Sequence, residues 1–136
     1  IIVGTGNYLP ELQNLVKTAK LEKYVFFTGG MHREMLRNFY SNSDVFWLLS
    51  NFDEAFGLVY IEAQTCGCPV IGRNRGGVRE AIGKNSGFLV DNEVEVFQIL
   101  KNKEYLKLRK QDIIQFANQF NSDLQAKNLL NAIDIK

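Results

Sequence analysis

With 136 residues the chain has the length of one domain, and 46% hydrophobic residues are ample for one core. Its 16 basic side chains stand against 15 acidic ones, and a formal charge of +1 gives no reason to expect a nucleic acid or a membrane surface as partner. No signal peptide is visible and no apolar stretch approaches the ~20 residues of a membrane helix, so the expected compartment is the cytoplasm.

The chain opens without an initiating Met, as a piece of something longer would. Ile1 to Val3 reads as a buried strand, and Gly4-Thr5-Gly6 as the tight turn that leaves it. Pro10 suits a first helical position, and Leu12, Leu15, Val16 and Ala19 recur at helical spacing to about Lys20. Gly4 and Gly6 leave room for close approach of a ligand, although a G-x-G without a third glycine is more often plain turn chemistry. Tyr24 to Thr28 reads as the next strand, ended by Gly29-Gly30, and about Arg33 to Ser41 as a helix with Met35, Leu36, Phe39 and Tyr40 on one face. The only histidine, His32, reads as a solvated loop residue beside Met31 and receives no catalytic role.

Asp44 to Leu49 is an apolar run that predicts a fully buried strand. A loop follows, then a helical segment from about Gly57 to Cys66 and a short buried strand, Pro69 to Ile71. In such a unit the loop and the helix start lie at the carboxyl edge of a parallel sheet, where open α/β folds hold ligands. The unpaired N–H groups of Gly57, Leu58 and Val59, at the positive end of the helix dipole, suit a phosphate. Glu54 and Glu62 flank that site, at most ~12 Å apart if the path between them is helical. Two acceptor-only groups around a cluster of donors fit a ligand with hydroxyls at both ends and phosphate in the middle, the layout of a nucleotide diphosphate sugar. Each glutamate alone also reads as an ordinary solvated charge.

Gly76-Gly77 opens a short helix after the Pro69 to Ile71 strand, on the same edge, and should face the same cleft. Arg73, Arg75 and Arg79 around it suggest either a phosphate clamp or a solvated run of charge, and the second reading is favoured. Cys66-Gly67-Cys68 reads as reduced, buried thiols, with no metal-ligand set nearby. Gly83 to Gly87 is a turn-rich loop into the strand Phe88 to Val90. From Glu93 the pattern turns helical, with Val94, Phe97 and Leu100 on one face, followed by Leu106, Ile113, Phe116, Ala117 and Phe120. Ser122 or Asp123 is placed to cap a last helix, Leu124 to Ile133.

Glu54 and Glu62, followed by Gly67-Cys68-Pro69-Val70-Ile71 and Gly76-Gly77, resemble the donor-binding segment of family 4 retaining glycosyltransferases of the GT-B fold. Ile1-Ile2-Val3-Gly4-Thr5-Gly6, Val25-Phe26-Phe27-Thr28-Gly29 and Ser86-Gly87-Phe88-Leu89-Val90 resemble further segments of that family in the same order. The resemblance implies a Rossmann-like, doubly wound parallel sheet flanked by helices, the C-terminal half of a GT-B enzyme. Residues 1–136 would then be one donor-binding domain, truncated on its N-terminal side. It implies that Glu54 holds donor-sugar hydroxyls in the catalytic site, that the amides of Phe56, Gly57, Leu58 and Val59 meet sugar and diphosphate, and that Glu62 accepts from the ribose. Gly30 and Met31 would border the base, and Gly4, Gly6, Gly76 and Gly77 would contact the cleft. Glu80 matches a family glutamate that would brace its loop.

The implied partners are a nucleotide diphosphate sugar and an acceptor-binding domain that in the family comes earlier, together with an Arg and a Lys that clamp the diphosphate. No metal or other cofactor is implied. The parent enzyme would be cytoplasmic or peripheral to the inner face of the membrane, and the piece alone inactive. Two other readings stand beside this one: a GT-B-type sugar-nucleotide epimerase, and a non-catalytic module binding a nucleotide or a protein. The choice between UDP and GDP, the sugar and the acceptor stay open.

Overall fold

A computed structural model describes residues 1–125. The chain forms two compact units, Ile1–Leu36 and Arg37–Lys136.

In the first unit β1 (Ile2–Val3) and β2 (Phe27–Gly29) pair in parallel, with α1 (Leu9–Thr18) between them in sequence. Pro10 stands in the first turn of α1, where its missing N–H costs nothing, and Glu11 complements the positive helix end. The expected burial of the first strand does not hold. Ile1 is 69% exposed and Ile2 and Val3 are each 38% exposed. Leu12 and Val16 of α1 are only half-buried and Leu15 lies in the open. Two strands of two and three residues offer too little surface to cover a helix face.

Helix α2 (Arg33–Ser41) matches the sequence reading and runs across the boundary between the units. The second unit then alternates strand and helix: β3 (Phe46–Leu48), α3 (Leu58–Thr65), β4 (Val70–Arg73), α4 (Val78–Ala81), β5 (Gly87–Val90) and α5 (Glu93–Lys101). A 3-10 turn (Glu104–Lys107) leads into α6 (Lys110–Asn118). The sheet order is β3-β4-β5, all parallel, with Phe46 opposite Val70 and Val70 opposite Gly87.

β4, the middle strand, buries Val70 and Ile71 completely. β3 lies at the edge of this sheet, and its alternating side chains divide between two faces, so Trp47 is half-exposed and the run is not fully buried as expected. One face of the sheet packs Tyr60 and Ala63 of α3 with Val78 and Ala81 of α4; Ile71, Val90, Val96 and Ile99 cluster with Val45, Leu49, Phe88 and Leu100. α6 lies against α3 and contributes Ile113 and Ala117.

Asn92 caps α5, its side-chain oxygen accepting from the N–H groups of Val94 and Glu95. The helix buries Val96 and Ile99, whereas Val94 and Phe97 of the expected face are exposed. After α6, Asn121 and not Ser122 or Asp123 opens the next helical turn, accepting from the Asp123 N–H at 2.8 Å. Most of the expected Leu124 to Ile133 helix lies outside the described residues. Among the described residues no helix is long and apolar enough to cross a membrane.

Candidate functional site

Because β3 and β4 run parallel, both leave the sheet at the same edge, so loop 49–57 and the turn 74–77 emerge side by side. Gly57 ends the first loop in the left-handed region at φ 79°, and a Cβ there would stand 2.6 Å from the Tyr60 ring. Only glycine makes this turn into α3 without strain. The first N–H groups of α3 have no intrahelical partner, and the N-cap residue, Gly57, has no side chain with which to cap them. This leaves Gly57, Leu58 and Val59 presenting donors at the positive end of the helix, with the Leu58 side chain exposed beside them.

Glu54 is half-buried in the same loop, and its Oε1 accepts from the Ser50 hydroxyl at 2.7 Å. Tyr60 is fully buried, and its hydroxyl donates to the Leu48 carbonyl, the last of β3, at 2.7 Å. Burial first, and then the negative charge of Glu54, push the Tyr60 phenol up to about 12. Glu62 stands half-buried on α3, two residues beyond Tyr60. The Tyr40 phenol is likewise raised, first by burial and then by the charge of Glu62. Tyr40, Phe46 and Tyr60 stack edge to face with centroids 5.4 and 5.8 Å apart, so each carboxylate acts on one end of a single aromatic row.

The second loop docks on the first through backbone. The Gly77 N–H donates to the Glu54 carbonyl at 2.9 Å, and a Cβ on Gly77 would fall 1.9 Å from the Ala55 carbonyl oxygen. Around this contact the arginines make bracing contacts: Arg75 and Arg79 lie exposed, as expected of solvated charge, whereas the expectation fails for Arg73. Arg73 is largely buried and donates to Asn51 Oδ1, the Asp91 carbonyl and Glu93 Oε1, the last at 2.7 Å. A backbone N–H first, and then the Arg73 guanidinium, hold the Glu93 carboxyl below its ordinary range. Arg75 pairs with Asp53 and donates to the Asn51 carbonyl, and Arg79 holds Asn74. Glu80 lies exposed on α4.

Phe56 is held from the other side. Its ring meets Phe120 edge to face at 5.2 Å, and Phe120 meets Phe116 of α6 at 5.4 Å. The second unit thus brings Glu54, Phe56, Gly57, Leu58, Val59, Gly76 and Gly77 to one sheet edge, with Glu62 on the helix that leaves it.

Gly4, Gly6, Gly30 and Met31 belong to the first unit. There Gly4, at φ 137°, donates to the Gly29 carbonyl at 2.8 Å, Gly6 accepts from the Leu9 N–H, Gly30 is exposed and Met31 half-buried. Sequence reasoning missed Ser50, Tyr60 and Phe120. The available signals were a hydroxyl shortly before a loop carboxylate and a phenol in an apolar helix, which needs a buried acceptor. A concavity of about 530 Å³ between β5 and α5, lined by Phe88, Leu89, Val94 and Ile99 among others, contains none of these residues. Among the described residues no three His, Cys, Asp or Glu side chains gather as a metal-binding group.

The family described as glycosyl transferases group 1 matches residues 1–119. A GDP-mannose-dependent alpha-(1-6)-phosphatidylinositol monomannoside mannosyltransferase of Mycobacterium tuberculosis is 36% identical over 98 residues, which cover 67% of this chain and 26% of that protein. Among solved structures, Anabaena Alr3699/HepE in complex with UDP-glucose superposes with a TM-score of 0.75 at 22% identity, over 98% of this chain and 40% of that one. Sucrose-phosphate synthase from Thermosynechococcus elongatus gives 0.74 at 28% identity, over 96% of this chain and 35% of that one. The structural neighbours are GT-B glycosyltransferases, and the fold described above is theirs. The chain spans about a quarter of the length of the curated relatives it matches.

Proposed function

The chain belongs to the glycosyl transferases of group 1, and from that membership we propose that it is the donor-binding part of a retaining enzyme that moves a sugar from a nucleotide diphosphate sugar to an acceptor. The observation that carries this reading is the uncapped amino end of α3, with Glu54 in the loop before it and Glu62 in the helix behind it. In this arrangement the amides of Phe56 to Val59 meet the sugar and the diphosphate, Glu54 accepts from hydroxyls of the sugar, and Glu62 accepts from the ribose.

The reaction asks little covalent chemistry of the protein. Its transition state resembles an oxocarbenium ion parting from a diphosphate, so firm positioning of the sugar and donors on the phosphates are what lower the barrier. Helix amides and cations of the complete enzyme would neutralise the diphosphate without a metal ion. The free thiols of Cys66 and Cys68 fit a reducing, cytoplasmic site of action.

Relatives are named for GDP-mannose and solved with UDP-glucose, so both nucleotides are probes. Saturation-transfer NMR of the 136-residue chain with UDP, GDP, UDP-glucose and GDP-mannose should saturate ribose and sugar protons of one pair. Glu62→Ala should abolish the ribose signal. Equal ribose signals in that variant would remove Glu62 from the site.

A further inference from the structure

We propose that Ser50 is the positioning residue for Glu54, its hydroxyl holding one carboxylate oxygen so that the other is turned to the hydroxyls of the donor sugar. This rests on the donor-site reading above. The hydrogen bond from Ser50 Oγ to Glu54 Oε1 is 2.7 Å long, and both residues are half-buried, so the bond is charge-assisted and only partly open to water. An ionised carboxylate accepts on two oxygens, and among the described residues the one donor is on Oε1, which leaves Oε2 for a ligand.

Both ends of that bond stand on anchored backbone. Ser50 follows β3 closely, and the carbonyl of Leu48 at the strand end is tied down by the Tyr60 hydroxyl at 2.7 Å. The main chain of Glu54 is tied by the Gly77 N–H at 2.9 Å. Tyr60 cannot replace Ser50 as donor, because its one proton is committed to Leu48. The charge of Glu54 is near enough to add to the effect of burial in raising the Tyr60 phenol's pKa. Without the Ser50 hydroxyl, Glu54 keeps its place in the loop and loses its orientation.

The consequence separates sugar from nucleotide, since the diphosphate and ribose contacts proposed for α3 do not pass through Ser50. In titrations followed by saturation transfer, Ser50→Ala should bind the preferred nucleotide sugar, UDP-glucose or GDP-mannose, about tenfold more weakly, a loss of about 1.4 kcal/mol. Binding of UDP or GDP alone should be unchanged. Ser50→Thr, which keeps the hydroxyl, should recover most of the difference. Equal weakening of nucleotide and nucleotide sugar in Ser50→Ala would make Ser50 a mere loop brace and overturn the inference while leaving the donor site standing. No change for either ligand, or a Ser50→Thr chain that binds nucleotide without recovering the sugar, would overturn it as well. If the unsubstituted chain saturates none of the four probes, the donor-site reading itself fails and takes this inference with it.

Discussion

Tyr60 joins stability to the site, because its phenol lies under loop 49–57 and fastens the end of β3. Replacing it with Phe removes one neutral hydrogen bond and leaves the Leu48 carbonyl short of a partner, so Tyr60→Phe should lower stability by about 1 to 2 kcal/mol in urea unfolding. The pH dependence has a definite sign. The folded chain raises the Cys68 thiol from 9.0 to about 11 and the Tyr60 phenol from 10.0 to about 12, in both cases chiefly through burial. Their contributions are complete below pH 9 and fall away as the unfolded chain ionises first, the thiol between 9 and about 11 and the phenol between 10 and about 12. Unfolding midpoints measured under reducing conditions should therefore decline from pH 9 upward, with Cys68→Ala flattening the lower part of the decline and Tyr60→Phe the upper.

Loop against loop, the decisive contact is backbone on backbone at Gly77. A methyl group there would overlap the Ala55 carbonyl, 1.9 Å away, and the loop bearing Glu54 would have to move. Gly77→Ala should cost about 1 to 3 kcal/mol, as overpacking does elsewhere, and should weaken nucleotide and nucleotide sugar together. The exposed Arg75–Asp53 pair beside it matters far less, and Asp53→Asn should cost no more than about 1 kcal/mol. Phe120→Ala tests the other side of the loop: losing its ring contacts with Phe56 and Phe116 should cost about 1 to 3 kcal/mol in urea unfolding.

The sequence showed strand β4, the helix after Gly57 and the glycine pair, because short apolar runs and glycines carry their meaning locally. It did not show which face of α5 is buried, since apolar residues at 94, 96, 97, 99 and 100 occupy most of the helix circumference. Nor did it show the arginines as braces. Asp53 and Asn51 lie more than twenty residues before Arg75, and a charge in sequence does not name its partner across a loop.

For the molecule as a whole, the fold is that of the GT-B glycosyltransferases, while the length is about a quarter of the curated relatives. Transfer requires the acceptor hydroxyl to be held close to the anomeric carbon, and most of the gain from such positioning is lost when one of the two partners is not held. Each charge-assisted bond from a basic side chain to the diphosphate is worth roughly 1.5 to 3 kcal/mol, so a chain without the Arg and Lys that the family resemblance places on the diphosphate would bind donor about a hundredfold or more weakly. The purified 136-residue chain should therefore bind nucleotide sugar weakly and release no nucleotide in the presence of acceptor lipids or sugars. A longer chain of the relatives' size should bind the nucleotide sugar more tightly and release nucleotide when acceptor is present. Coupled assay of free UDP or GDP under saturating donor makes the comparison directly, and robust turnover by the 136-residue chain would mean that acceptor and diphosphate are both held by groups within these two units.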